Sequence, residues 1–185
     1  MEWIIPGTSL RGLRSEVEDS IRQIEGMFLG GGMIRSQLAS VSGVEAHDIQ
    51  NWVKRGFLPS PVNKRYSCNQ FCRIVIINML RSAMPMEKIC SLLSYVNGHL
   101  DDESDDLIDD TVLYFMFLRL AARAQSIGGR DNWDTAIADI LSEYHEPIPG
   151  AKSRIDQVLR IMLTAWIGVQ TIRRAENMLA ELMDA

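Results

Sequence analysis

Apolar residues recur along this chain at helical spacing, and glycine or proline interrupts them at short intervals. In "LRGLRSEVEDSIRQIEGMF", Leu13, Val17, Ile21 and Ile24 step by four, four and three, which predicts an amphipathic helix. Gly30, Gly31 and Gly32 then form a flexible link. A phosphate-cradling loop would need Lys and Ser or Thr directly after its last glycine, and Met33 and Ile34 stand there instead. "IRSQLASVSG" predicts a short helix over 34–41, with Gly43 free to take the left-handed conformation that turns the chain. "VEAHDIQNWVKRG" predicts a second, with Val44, Ile49, Trp52 and Val53 inward and Gly56 at its end. Pro59 and Pro61 forbid helix in "FLPSPVNKRYS". Asn63 suits a turn between extended pairs at 57–58 and 65–66, which predicts a small two-stranded wing. Two more helices follow, "SCNQFCRIVIINMLRSA" with Ser67 as N-cap and "MPMEKICSLLSYVNG" with Pro85 in its first turn and Gly98 at its end.

The second half reads as helix throughout. "HLDDESDDLIDD" holds seven acids in twelve residues. It lacks the glycine of a calcium loop, and Thr111 follows it, so a solvated linker or helix start is the plainer reading. "LIDDTVLYFMFLRLAARAQS" is an aromatic-rich helix, "SIGGRDN" breaks it, and Asp131 is placed as N-cap of "NWDTAIADILSEYHE". After "PIPG", residues 151–183 form one long helix whose apolar positions Ile155, Val158, Met162, Ala165, Val169 and Ile172 step by three and four. That heptad exceeds what a helix over 132–144 covers, so it is expected to be the seam of a homodimer. Tyr114, Phe115, Phe117, Trp133, Tyr144 and Trp166 give this half an aromatic interior. Helix packing is its first reading, and a pocket for a small-molecule effector its second.

Charge divides the chain. Over residues 34–98 eight Lys or Arg face three acids, a local +5 within a chain of net charge -5. A basic middle in an acidic chain points to a polyanionic partner for the middle alone. At 185 residues, 46% hydrophobic and 23% charged, the composition excludes wholesale disorder. Cys68, Cys72 and Cys90 are too few for a disulfide framework and fit a reducing compartment. "MEWIIPGTSL" has no basic leader with a long apolar run, and "IMLTAWIGVQTI" falls short of the roughly 20 residues of a membrane span. A cytoplasmic, non-membrane protein is expected.

Helix, glycine turn, helix and basic wing are the parts of a winged helix-turn-helix, whose second helix enters the DNA major groove. The exposed face of that helix offers His47, Gln50 and Asn51, then Lys54 and Arg55, and Lys64 and Arg65 sit at the wing tip. Asn and Gln bond adenine edges, while Lys and Arg meet guanine or phosphate. "QLASVSGVEAHDIQNWVKRGFLPSP", a basic wing ending in Tyr66, and "LRSAMPMEKICSLL" as a second helix pair resemble the winged DNA-binding domain of MerR-type regulators. "WVKRGFLPSPVNKRYS" is similar to a set of uncharacterised bacterial proteins with a MerR-like domain. The resemblance covers about residues 10–100. It implies contacts to double-stranded DNA from Gln50, Asn51, Lys54 and Arg55 on the helix and from Lys64 and Arg65 on the wing, with His47 and Tyr66 beside them. The chain departs from the MerR pattern in three ways. Gln50-Asn51-Trp52 replaces the usual Arg-Tyr-aromatic run, a helix precedes the domain, and several helices follow it. Promoter twisting and metal sensing are therefore not carried over.

No pattern of nucleophile and base or of paired metal ligands is present, and neither an enzyme nor a cofactor or metal is expected. Cys72 and Cys90 lie among apolar neighbours and read as core. The expected fold is all-α with a small β-wing. Residues 1–29 give a helix and glycine linker, 30–98 a MerR-like winged helix-turn-helix, and 99–185 a helical region for dimerisation and effector sensing. The expected function is a sequence-specific DNA-binding transcription regulator. Its rivals are a protein-interaction module that keeps the fold without reading DNA, and a helical ligand-sensing domain.

Overall fold

The computed structural model describes residues 2–100, 105–124 and 131–184. It is mostly helical with one small two-stranded antiparallel sheet. The sheet lies at the start of the chain, where the sequence pattern predicts none. Strand β1 (Glu2–Ile4) pairs with β2 (Arg11–Leu13), setting Trp3 opposite Gly12. The turn between them closes through the Ile5 amide on the Leu10 carbonyl (2.9 Å) and the Thr8 hydroxyl on the Ile5 carbonyl (2.9 Å). Gly7 takes φ +76°, and a Cβ there would meet the Val75 carbonyl oxygen at 2.2 Å, so only glycine lets this turn lie against the helix below it. Leu13, assigned above to an amphipathic helix, is a strand residue and 41% exposed.

Helix α1 (Val17–Gly26) buries Ile21 and Ile24, as its spacing predicts. Helices α2 (Arg35–Ser42) and α3 (Ala46–Lys54) follow the Gly30–32 link. Then come α4 (Cys68–Leu80), α5 (Met86–Asn97), α6 (Asp110–Ala124), α7 (Asp131–Leu141) and α8 (Ala151–Met183). Ser67 caps α4 as expected: its hydroxyl accepts from the Gln70 amide (3.2 Å), while the Gln70 side chain accepts from the Ser67 amide (2.9 Å). Helix α7 is described from Asp131 onward and stops at Leu141. The Asp131 cap assignment rests in part on residues 125–130, which lie outside the described residues, as do 101–104 of the acidic run.

Helices α4 and α6 form the centre. On α4, Phe71, Cys72, Ile74, Val75, Ile76 and Ile77 are all fully buried, so this helix is covered on every side rather than along one stripe. Helix α6 packs against it with Tyr114 and Phe117 fully buried, and Trp166 of α8 meets Phe117 edge-on at 6.0 Å. One continuous hydrophobic cluster runs from Trp3 to Trp166. It therefore joins the three segments drawn at residues 29 and 98. The aromatic interior of the second half is packing, as its first reading has it.

A buried polar link crosses the same boundary. Arg73 on α4 and Asp110 at the start of α6 are both about 95% buried and pair at 3.1 Å. Asn97 at the end of α5 donates to the other Asp110 oxygen (3.0 Å), and Arg73 Nε donates to the Phe57 carbonyl (3.0 Å). Burial pushes the Asp110 carboxyl above its ordinary range in spite of the Arg73 charge. Asp110 therefore does not belong to a solvated acidic face, and Arg73 leaves the surface charge of the basic segment.

Candidate nucleic-acid interface

The turn between α2 and α3 is built from three consecutive residues. Ser42 donates its hydroxyl to the Leu38 carbonyl (2.7 Å) and accepts from the Val44 amide (3.2 Å), closing the end of α2. Gly43 takes φ +69°, and a Cβ there would meet the Ser9 hydroxyl at 2.7 Å. Val44 is then driven into the core at 1% exposure. Helix α3 leaves this turn with Ile49 and Trp52 buried and His47, Gln50, Asn51 and Lys54 exposed. Positions i, i+3, i+4 and i+7 share one face of an α-helix, so the four exposed side chains form a single polar stripe opposite the core. Phe57 closes the exit of α3 through its amide on the Trp52 carbonyl (2.9 Å).

The wing is smaller than expected. Residues 57–58, expected to be extended, form a bend and have no strand partner among the described residues. A tight turn carries the basic tip: Val62 bridges Arg65, with Asn63 at φ 50° and Lys64 at φ 63°. Two successive left-handed residues give the turn whose twist suits a two-residue hairpin. Its base is fixed elsewhere, since Tyr66 exchanges backbone hydrogen bonds with Met33 (3.0 and 2.8 Å). Gln70 holds the proline loop by donating to the Pro59 and Ser60 carbonyls (3.1 and 3.0 Å). The prolines thus occupy a loop pinned to α4.

The proposed contact residues fare differently. Lys54 and Lys64 are exposed and no carboxylate among the described residues pairs with them. Arg65 is exposed, with one guanidinium nitrogen on the Gly32 carbonyl (2.8 Å). Arg55 is exposed but pairs with Glu87 at 3.3 Å and stacks on the Phe57 ring at 4.5 Å. His47 Nε2 lies 3.2 Å from Asp48. Tyr66 is withdrawn from the exposed set: it is 4% exposed, because the bridge to Met33 turns it into the core. Arg81 is no part of the expected reading face, yet its guanidinium lies over the Trp52 ring at 5.8 Å and reaches Asp48 at 3.5 Å, so it supports α3. A basic residue ending an apolar helix gives no pattern that would have revealed this.

Residues 34–117 match the family described as a domain of unknown function (DUF1836). The matched stretch starts at α2 and runs into α6, so it contains the polar stripe of α3, the tight basic turn and the buried Arg73–Asp110 pair. It names no MerR-type regulator. No curated protein matches the chain, and no solved structure matches it.

The seam assigned to α8 is corrected by its surroundings. Ile155, Val158 and Met162 are fully buried and Val169 is 6% exposed, all against this chain's own helices, and Ala165 is half-buried. Of the six, Ile172 alone is exposed, at 58%. Helices α4, α5 and α6 cover this face together with the single preceding helix α7. From residue 171 to 184 every position of the chain is exposed. Ile172, Ala175, Leu179, Leu182 and Met183 share one face of this free length.

Among the described residues no three His, Cys, Asp or Glu side chains come together as a metal site, and no helix is long and apolar enough to cross a membrane. Cys72 is fully buried, and burial pushes its thiol well above the ordinary range. Cys68, half-buried one turn earlier at the start of α4, is held below that range, chiefly by hydrogen bonding with Cys72. Cys90 is half-buried rather than fully packed, and burial raises its thiol.

Proposed function

We propose that this chain is a sequence-specific regulator of transcription that binds double-stranded DNA through a MerR-like winged helix-turn-helix. The observation that carries the reading is the stripe His47, Gln50, Asn51 and Lys54 on α3. Its two amides suit bidentate bonds to adenine, and its terminal lysine suits guanine or phosphate. The helix is short, is entered through a left-handed glycine and is backed by buried Ile49 and Trp52, so its exposed face is held rigidly for docking. Lys64 and Arg65, at the tip of the tight turn, supply phosphate contacts that set register without reading sequence.

One such module reads few base pairs, so two copies act on a two-fold site. The proposed seam is the free length of α8. A helix of some 14 residues is marginal alone in water, and its apolar face gains from a partner of the same kind. Arg174 lies near one end of this length and Glu181 and Asp184 near the other, so antiparallel pairing of two copies sets unlike ends side by side.

Selection of bound duplexes from a random pool tests the reading. Enrichment of a sequence with two related half-sites is expected. Recovery of an unselected pool after repeated rounds would refute it and leave the fold as a protein-interaction module. The pairing of Arg55 with Glu87, which occupies one reading cation, is the observation that favours that second reading.

A further inference from the structure

A second polar feature lies away from α3. A cavity of 340 Å³ opens between the N-terminal hairpin, the end of α4 and the outer part of α8. Its lining includes Trp3, Arg14, Asn78, Arg81, Gln170 and Arg173. Three arginines from three parts of the chain thus line one small space, although the Arg81 guanidinium is turned toward Trp52 and Asp48. Glu2 is the one carboxylate among the described lining residues, and it pairs with Arg11 at 3.6 Å. No carboxylate among the described residues pairs with Arg14 or Arg173.

The hydrogen-bonding ledger of this site is one-sided. Arg14 stacks over the Trp3 ring at 5.1 Å, and its Nε and Nη1 are buried with no acceptor among the described residues. The Trp3 indole nitrogen is also buried with no acceptor among the described residues, on a side chain that is 6% exposed. Buried donors without acceptors are uncommon, and each costs free energy until something accepts from it. Burial also holds the Arg14 guanidinium below its ordinary range, the sign of a cation short of counter-charge. The carbonyl end of α4 adds about half a negative charge at the cavity edge, too little to offset Arg14 and Arg173 together.

We propose that this cavity binds a small anionic ligand through a phosphate or carboxylate group held by Arg14, Arg81 and Arg173. Arginine suits such groups because its planar donors match their oxygens. The cavity volume admits a small metabolite. A bound anion would fix Arg173, where the free length of α8 begins. It would also draw Arg81 from Asp48, 3.5 Å away on α3. One ligand would therefore bear on both the reading helix and the proposed seam. That coupling rests on the DNA-binding reading; the binding itself does not.

Titration calorimetry without DNA separates the two. Inorganic phosphate and malonate serve as probes, with ionic strength held constant by chloride. Saturable binding of one or both is expected, and the stronger of the two identifies the group. Arg173→Gln and Arg14→Gln should each weaken it at least tenfold, while Lys88→Gln, at an exposed position outside the cavity, should not. Arg173 is exposed on α8, so its variant folds even where Arg14→Gln does not. The proposal is overturned by the absence of saturable heat from either probe, or by Arg173→Gln protein that binds as tightly as wild type.

Discussion

Replacing Asp110 with alanine should be among the most damaging single changes to this fold. The variant leaves Arg73 about 95% buried with the Phe57 carbonyl as its remaining acceptor, and it removes the acceptor of Asn97. Breaking a buried pair from one side typically costs about 3–5 kcal/mol, because the surviving charge has neither water nor partner. For a chain of this length that corresponds to a fall in melting temperature of roughly 6–20 °C. Replacing both residues, as Arg73→Met with Asp110→Leu, should recover most of the loss, since apolar groups of similar size need no partner. Arg73→Met alone carries a pH signature. Without the arginine, the folded carboxyl rises further above its ordinary value of 3.8. Below that value both folded and unfolded forms are protonated and there is no penalty. As pH rises, the unfolded form ionises first, so the loss grows until the folded pKa is passed. Arg73→Met should therefore be less destabilising at acid pH than at neutral pH. Urea unfolding of the three variants at two pH values measures all of this. A loss below about 1 kcal/mol for Asp110→Ala, or a flat pH dependence for Arg73→Met, would refute the reasoning.

Asn51→Ala should relax preference at one base position by about 1–3 kcal/mol while non-specific affinity stays close to wild type; equal weakening on all duplexes would make Asn51 a positioning residue. Leu179→Asp should convert a dimer to a folded monomer in sedimentation, with stability changed by no more than about 0.5 kcal/mol because the position is exposed within the chain. A wild-type monomer at micromolar concentration would remove the seam. Cys68 should be alkylated first by iodoacetamide and Cys72 last, as mass spectrometry of the folded protein reads out, because one thiol is depressed and the other is buried and raised. The reverse order would contradict the environment described for α4.

The helices were largely legible because short-range rules decide them. Gly43 and Gly56 carry the left-handed angles their positions suggest, and Ser67 caps α4 as its place before the helix suggests. The 33 residues of α8 follow from a stretch without proline. What escaped depends on contacts distant in sequence. The N-terminal hairpin turns at Pro6-Gly7, a turn signal between runs too short to read as strands, and it is fixed by Tyr114 donating to the Pro6 carbonyl at 2.7 Å. Asp110 sits in an acidic run, and nothing local marks it as the one that meets Arg73. Tyr66 reads as part of a basic wing until Met33, half a domain earlier, claims its backbone. The heptad of α8 has the period of a dimer seam, yet the same period serves a helix packed against its own chain. The exposed stripe of α3 was legible because both of its faces are set by the one helix.

The most direct measurement is a titration of the protein on its selected duplex and on a scrambled duplex at rising salt, comparing wild type with the Lys64→Ala, Arg65→Ala double variant. DNA binding through this face predicts wild-type preference for the selected duplex by about a thousandfold or more. It also predicts an affinity that falls linearly on logarithmic axes of salt, with a slope flattened by about two units in the variant, one for each lost phosphate contact. The Asn51 stripe would keep the variant's preference intact. Equal binding to both duplexes, or a variant indistinguishable from wild type at every salt concentration, would contradict the account.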